Sequence, residues 1–449
     1  MTSLNEQEWL AKNPDVDSIT VAVCDINGVL RGKRIPVDQL KNALSSGVRM
    51  PQSACTLDIF GRDIEDSELV LDSGDADGVC VPTARGVITR SWDEKPSGFL
   101  QVMLGKEDGT PVGADSRQAL ATVLKRFKEK GLTPVVAMEM EFYLTSVTNG
   151  IPRTPTLPDA HRPLAMDNIL SVSELDALSD FFDDIYVACN AHGIAADSAV
   201  SEGGAGQYEI NLLHTADAMK AADDALLFKT IVKSIARQHG FHATFMAKPF
   251  GDTAGNGLHV HFSVVDEDGK NIFDDGTDKG SEALRFAVGG LIKAMQESTL
   301  IFAPHQNSYR RMRPGSFAPI SAAWGYENRS CAIRIPGGPH AARRIEHRVS
   351  GADANPYLML AVILGAALIG IEDKILPPRP LRGNAYEANA PQLPLDWLTA
   401  IVAFSSGTTI ARILDPLLVR LYAQAKHQEL THFLGIVSGA EYHAYLETV

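Results

Sequence analysis

The sequence predicts an α+β protein built in two unequal parts, and three observations carry that expectation. Residues 1 to about 105 hold short strand-like runs and a single strong helix signal after the first strands. Beyond them, strand-like runs alternate with long helical patterns to the end of the 449 residues, more chain than one core usually needs. Four runs also place polar side chains at i and i+2 with apolar residues between them, which marks strands with two different faces.

Taken in order, residues 5–13 read as a short amphipathic helix stopped by Asn13-Pro14. SITVAVCDINGVLRGKRIPV reads as two strands joined at Asn27-Gly28, residues that tolerate the positive φ a hairpin needs. Pro36 and Asp38 open a helix that Gly47 closes. ELVLDS, GVCVPT and GFLQVML read as further strands. The segment GKEDGTPVGADS is the expected linker, with Asp115 or Ser116 capping the helix RQALATVLKRFKEKG. Strands are then expected at 134–145, 206–213, 242–249, 257–265, 329–335 and 343–349. Helices are expected at 173–192, 216–239, 281–299, 355–372, 394–406 and 408–433.

The polar faces hold the chemistry. VVAMEMEFYL puts Glu139 and Glu141 opposite Val136, Met138, Met140 and Phe142. GQYEINL puts Gln207, Glu209 and Asn211 opposite Tyr208, Ile210 and Leu212. GLHVHFSV aligns His259, His261 and Ser263, and RRIEHRV aligns Arg344, Glu346 and Arg348. The arrangement that satisfies all four is one sheet with its apolar side on a core and its polar side on a cavity. Glu139, Glu141, Glu202, Glu209, Glu346 and His259 could together serve two cation sites. So many carboxylates without a cation would repel one another and resist ionisation. Oxygen donors with some imidazole suit Mg²⁺ or Mn²⁺, whereas a zinc site is disfavoured by the absence of thiolates and of an HExxH helix. Arg310, Arg311, Arg313, Arg329, Arg334, Arg344 and Arg348 crowd the stretch from 310 to 348. Guanidinium forks grip phosphate and carboxylate, so the cluster points to phosphate handling, and no GxxxxGK[ST] loop offers a P-loop route.

Composition sets limits on partners. A formal charge of −14 argues against nucleic acid and anionic membranes, and suits cationic ligands. Cys24, Cys55, Cys80, Cys189 and Cys331 are scattered, without a CxxC, and read as reduced residues of a cytoplasmic protein. No basic segment followed by an apolar run opens the chain, so a signal peptide is not expected. The apolar run from Tyr357 to Ile371 is too short to cross a bilayer and reads as a buried helix.

In order along the chain, MEMEFYL, EGGAGQYEINL, KPFGDTAGNGLHVHFS, NSYRRMRPGSFAP, NRSCAIRIP and RRIEHRVSGADANPYL resemble the motifs of the glutamine synthetase superfamily. The resemblance implies an N-terminal β-grasp domain over 1–105 and a catalytic domain over 106–449 with a curved antiparallel sheet flanked by helices. It implies ATP as a substrate, two or more Mg²⁺ or Mn²⁺ ions per subunit, and a homo-dodecamer of two stacked hexameric rings in which neighbours complete each site. Position by position, it gives Glu141, Glu202 and Glu209 to one metal, and Glu139, His259 and Glu346 to the other. His261, Ser263, Arg334 and Arg344 fall to ATP, Arg311, Arg348 and Gly255 to glutamate, and Arg329 to the transferred phosphate.

The departures bear on the second substrate. Ammonia-using members carry Glu where Phe317 stands, an Asp on the small domain where Pro51 stands, and Asn where Ala254 stands. Together these changes replace an anionic ammonium pocket with an apolar one. AVCDINGVLRGKRIP, FMAKPF, NSYRR, AAWGYENR and RVSGADANPYL are most similar to the γ-glutamylpolyamine (glutamate–putrescine) ligases. The expected reaction joins the γ-carboxyl of glutamate to a primary alkyl amine through γ-glutamyl phosphate, and Asp58 and Glu65 are candidates for holding a second ammonium. The alternatives are a monoamine ligase for methylamine, ethanolamine or isopropylamine, an ammonia-using glutamine synthetase, and a non-catalytic relative. Tyr386 lies near where some bacterial relatives are adenylylated, but GNAYEANA differs from their motif and no such regulation is expected.

Overall fold

A computed structural model describes residues 6–70, 74–93, 95–158, 160–165 and 167–449. The first part comprises α1 (Glu6–Lys12), β1 (Ser18–Cys24), β2 (Leu30–Pro36), α2 (Leu40–Ser46), β3 (Val48–Pro51), β4 (Asp77–Thr89) and β5 (Gly98–Gly105). Its five strands run in the order β2-β1-β5-β4-β3, with β1 parallel to β5 and every other neighbour antiparallel. The β1–β2 hairpin turns at Asn27-Gly28 as expected. Gly28 has φ 75°, and Asp25 Oδ1 accepts the N–H groups of Asn27 and Val29 at 2.8 and 2.9 Å.

The second part begins with α3 (Ser116–Lys128), capped by Asp115, whose carboxylate accepts the Arg117 and Gln118 N–H groups. Its helices continue as α4 (Val172–Ala177), α5 (Ser179–Ala191), α6 (Ala218–Gln238), α7 (Glu282–Phe302), α8 (Pro356–Glu372), α9 (Trp397–Ser405), α10 (Pro416–Leu434) and α11 (Gly439–Tyr445). Its strands are β6 (Thr133–Thr148), β7 (Ile151–Arg153), β8 (Ala196–Ser201), β9 (Gln207–Thr215), β10 (His242–Thr244), β11 (Leu258–Val265), β12 (Trp324–Tyr326), β13 (Ile333–Ile335) and β14 (Ile345–His347). They form one sheet in the order β12-β13-β14-β11-β6-β9-β8, with β7 and β10 also on β6. All pairs are antiparallel except β12–β13. The protein is α+β.

Several boundaries differ from the sequence reading. Residues 68–70 of ELVLDS form a turn, and 71–73 lie outside the described residues. The strand expected at 242–249 stops at Thr244, because the Asn256 amide takes the carbonyls of Thr244 and Met246. The strand expected at 329–335 starts at Ile333, since Asn328 Oδ1 draws the Ser330 N–H into a turn at 3.1 Å. Helix 173–192 is broken at Leu178 (φ −110°, ψ 18°). The last long helix waits for Pro416, which fits the first helical turn after the Asp415 cap but not a helix interior.

The core lies between the sheet's apolar face and the helices. Helix α8 is buried from Pro356 to Gly370, so the apolar run is a core helix; among the described residues no helix is long and apolar enough to cross a membrane. Two buried polar seams join the two parts. In one, Arg117 binds Asp223 through two bonds of 3.0 Å, and Tyr357 and Gln101 of β5 join the same carboxylate. In the other, Lys426 Nζ lies 3.0 Å from Glu429 Oε2 with both side chains 0% exposed. Glu429 also accepts the Ile59 N–H at 2.9 Å, and Lys426 donates to Asn27 in the first hairpin.

Burial favours neutral Glu429, but the Lys426 charge and then His305 outweigh it and hold the carboxyl at about 2, against 4.5 for the free group. A group held low in this way stabilises the fold fully above pH 4.5, and the contribution is lost as the pH falls through about 2. Glu429→Gln should therefore cost about 3–5 kcal/mol at neutral pH, because Lys426 is left buried without a counter-charge. It should also flatten the acid limb of stability between those two pH values. Urea unfolding of both proteins over a pH series measures this, and equal stability at pH 7 would rule out the seam.

Candidate active site

Alternation along β6, β9 and β11 does what the sequence predicted. Val136, Met138, Met140, Phe142, Tyr208, Ile210, Leu258, Val260 and Phe262 are all at most 1% exposed and line the core. The other face is polar, and the strand registers stack its residues side by side. His259 pairs with Glu139, which pairs with Asn211; Glu141 pairs with Glu209; His261 pairs with Glu346, which pairs with Arg334.

Glu139 is the hub. Its two oxygens meet His259 Nδ1 at 3.2 Å and His261 Nε2 at 2.9 Å. His261 Nδ1 accepts Arg344 Nε at 3.2 Å, which leaves Nε2 to carry the proton toward Glu139. Burial would raise the Glu139 carboxyl, but these two imidazoles hold it far below the usual range. Glu346 is gripped by Arg334 Nη1 at 2.7 Å and by Arg348, and its carboxyl stands at about 2 because Arg348 and the histidines outweigh burial. Two carboxyls behave in the opposite way. Burial, then the charges of Glu139, Glu141 and Glu202, push Glu209 up to about 9, and burial with Glu141 pushes Glu202 up to about 7.

Ligand-type atoms of Glu139, His261 and Glu346 lie within 4.8 Å of one another, as do those of Glu139, Glu209 and His259. Glu141 and Glu202 are in neither cluster. Glu139 belongs to both clusters, His261 joins Glu346, and His259 sits with Glu209. A Cβ added to Gly257 would lie 2.9 Å from Arg311 Nη2, 3.0 Å from His259 Nε2 and 3.2 Å from Glu141 Oε1, so the glycine leaves open a cradle between acids, imidazole and guanidinium. Carboxylate oxygens with imidazole nitrogens, crowded enough to suppress their own ionisation, fit hard divalent cations.

The remaining expected residues divide. Arg311 is 5% exposed, and its stem presses on Gly255, where a Cβ would come 2.8 Å from its Cγ. Arg311 Nη1 donates to Val349 O at 2.8 Å, and burial lowers the pKa of this guanidinium. His261, Ser263, Arg344 and Asn211 line a cavity of about 1000 Å³ beside Glu139. Arg334 lies outside that lining and bonds Glu346 and Glu327 instead. Arg329 is an exposed turn residue whose charge still reaches Glu202. Arg310 and Arg313 face solvent. Phe317 is 69% exposed with φ 56°. Pro51 is exposed at the end of edge strand β3, and the Ala254 carbonyl accepts the Tyr143 hydroxyl at 2.8 Å.

Asp58 does not suit an ammonium ion. It is 1% exposed, and its oxygens serve the Phe60 and Arg62 N–H groups and the Gln428 amide. Glu65 is exposed. Two contributors were not assigned a role from the sequence. Gln207 links Glu141 Oε2, the Gly255 carbonyl and Asn256 at 3.1–3.2 Å, and its place in the alternating QYEIN run was the available signal. Glu327, with φ 51°, braces Arg334 at 3.2 Å.

Residues 113–445 match the glutamine synthetase catalytic domain. The chain belongs to the glutamine synthetase family. It is 35% identical over 438 residues to gamma-glutamylputrescine synthetase PuuA of Escherichia coli (strain K12), covering 97% of this chain and 93% of that protein. It is 30% identical to glutamate–isopropylamine ligase of a Pseudomonas species, covering 99% of this chain and 98% of that one. A solved GmaS/ADP complex superposes with a TM-score of 0.84 at 28% identity, covering all of both chains. The family consists of ligases that use ATP and divalent metals, so this chain is a ligase.

A cation held by the folded face and not by the unfolded chain would stabilise the protein, so Mg²⁺ or Mn²⁺ should raise the unfolding temperature, with up to about 2.7 kcal/mol of stabilisation at 100 times Kd. Glu139→Gln and Glu209→Gln should each shrink that shift in a thermal titration. An unchanged unfolding temperature in the unsubstituted protein would exclude the face as a cation site.

Proposed function

We propose that this protein ligates the γ-carboxyl of glutamate to a primary alkyl amine, a diamine of the putrescine type, at the expense of ATP. The observation that carries the amine assignment is Phe317, an aromatic side chain where ammonia-using relatives place an acid. Similarity to gamma-glutamylputrescine synthetase over 97% of the chain supports it.

In this reading Glu141, Glu202 and Glu209 hold one cation, and Glu139, His259 and Glu346 hold another. Such cations, Mg²⁺ or Mn²⁺, would neutralise phosphate charge and align ATP. His261, Ser263 and Arg344 hold the nucleotide in the adjoining cavity with Arg334 behind them, while Arg311, Arg348 and the Gly255 backbone receive glutamate. A γ-carboxylate oxygen attacks the terminal phosphorus and ADP departs, with Arg329 offsetting charge on the phosphoryl oxygens. The amine, with a pKa of about 10 like that of lysine, must shed a proton to solvent or to a carboxylate of the site before its nitrogen attacks the acyl carbon. Phosphate then leaves and can take up the proton released as the amide forms.

The same proposal extends to architecture. The five-stranded sheet with parallel β1 and β5 at its centre is read as a β-grasp domain over 1–105, and 106–449 as the catalytic domain. The subunits are read as a homo-dodecamer, two hexameric rings in which a neighbour's small domain covers Phe317 and closes the site. Five buried free thiols support a cytoplasmic setting. Light scattering should find a large closed oligomer, and a fully active monomer would refute this part.

An amine panel tests the chemistry. Each methylene buried on Phe317 is worth roughly 0.8 kcal/mol, so four give a gross advantage of about 3 kcal/mol over ammonium. Phosphate release should accordingly show kcat/KM at least about 100-fold higher for putrescine than for ammonium. Phe317→Glu should narrow that gap. Equal efficiency with both amines would defeat the reading. A clear preference for isopropylamine or another monoamine would move it to the monoamine branch, which the similarity to glutamate–isopropylamine ligase keeps in view.

A further inference from the structure

The loop bearing Phe317 needs an external support. A positive φ of 56° is unfavourable for an aromatic residue, and persists only where neighbours over-determine it. Part of the support is local. Ser316 Oγ donates toward the Arg311 carbonyl at 2.9 Å and accepts the Ala318 N–H at 3.3 Å. The rest comes from about 70 residues away. Half-buried Tyr386 donates its hydroxyl to the Ala318 carbonyl at 3.1 Å, with Ser316 and the Phe317 backbone close enough to act on the phenol. The Tyr386 oxygen thus holds the backbone immediately after Phe317. Arg311 and Arg348 also lie close enough for their charges to act on it.

The other end of this segment holds a different part of the site. Asn384 Oδ1 accepts the Tyr386 N–H at 3.1 Å and fixes a short helical turn at Ala385–Glu387. Ala385 N–H donates to Ser330 Oγ at 3.0 Å, and Asn328 donates to the Gly383 carbonyl at 2.8 Å. Residues 328 and 330 flank Arg329, so the segment from Gly383 to Glu387 touches both the Arg329 turn and the Phe317 loop.

We infer that this segment is a strap between the phosphate side and the amine side of the site, and that the Tyr386 hydroxyl is the positioning group that sets amine preference through Phe317. This rests on the reading of Phe317 as part of the amine site. Tyr386→Phe keeps the ring and removes the hydroxyl. The amine KM should then rise and the preference for putrescine over ammonium should fall, each by about 10-fold, while KM for ATP and for glutamate moves less than about threefold. A purely structural role would lower thermal stability and leave the amine KM and the preference unchanged, and that result overturns the strap.

If Tyr386→Phe does not fold, Ser330→Ala cuts the other end of the strap. It should move the same ratio in the same direction by about threefold, and an unchanged ratio counts against the proposal. Phe317→Ala in parallel separates the two readings. If it shifts the amine ratio and Tyr386→Phe does not, the strap is wrong and the amine site stands. If neither shifts it, the amine-site reading itself falls.

Discussion

Glu139, Glu141, Glu202 and Glu209 compete for negative charge in one small volume, and the rest of the site is arranged around that competition. Buried carboxylates at this spacing cannot all ionise without counter-charge. Glu139 takes the anionic role because two imidazoles serve its oxygens. Glu346 does so because two guanidinium groups grip it. For Glu209 and Glu202, burial and the neighbouring acids outweigh what Asn211 and the Arg329 charge offer, and both are pushed toward the neutral acid. The asymmetry leaves the face poised for cations, which would supply the remaining counter-charge and let every carboxylate ionise. This also accounts for histidine beside glutamate on adjacent strands, where a third or fourth acid would add repulsion without a ligand of different geometry.

The backbone makes that crowding possible. β6 is an interior strand, paired with β11 on one side and β9 on the other, and its alternation sends Met138, Met140 and Phe142 into the core while Glu139 and Glu141 lie on the polar face. Each acidic side chain is therefore anchored by an apolar neighbour one residue away, at 0–1% exposure. Sites carried on strands are more rigid than sites on loops. A one-residue slip of β6 would bury its acids and expose its methionines together, so core and site enforce the same register.

This is also why the site was largely legible in the sequence. The Glu139, Glu209, His259 and Glu346 runs announce a two-faced strand because their alternating residues differ so strongly. Where that contrast is missing, sequence reasoning fails. Edge strand β8 reads ADSAVS and is half-exposed with little alternation, and β12 is three residues long. Arg329 looked like a strand residue until the Asn328 turn displaced the start of β13. Asp58 looked like a free loop acid, but its three bonds include one to Gln428, a partner 370 positions away. The Tyr386 contact was equally unreadable, since its acceptor is a backbone carbonyl that any residue would supply.

The division between strand and loop bears on how such a protein changes substrate. The acidic face is fixed by pairing across β14, β11, β6 and β9, so altering one of its side chains disturbs its neighbours' charges and the register beneath them. Phe317 is under no such constraint. Its side chain is largely exposed in the single chain, and hydrogen bonds to Ser316 and Tyr386 secure its loop without reference to the identity of residue 317. Under the proposed function, exchanging an acid for an aromatic ring there would change which amine is welcome and leave phosphoryl transfer intact. In the proposed function, the phosphoryl-transfer chemistry and the amine selectivity thus reside in elements held by different forces, cross-strand charge pairing for one and backbone hydrogen bonds for the other.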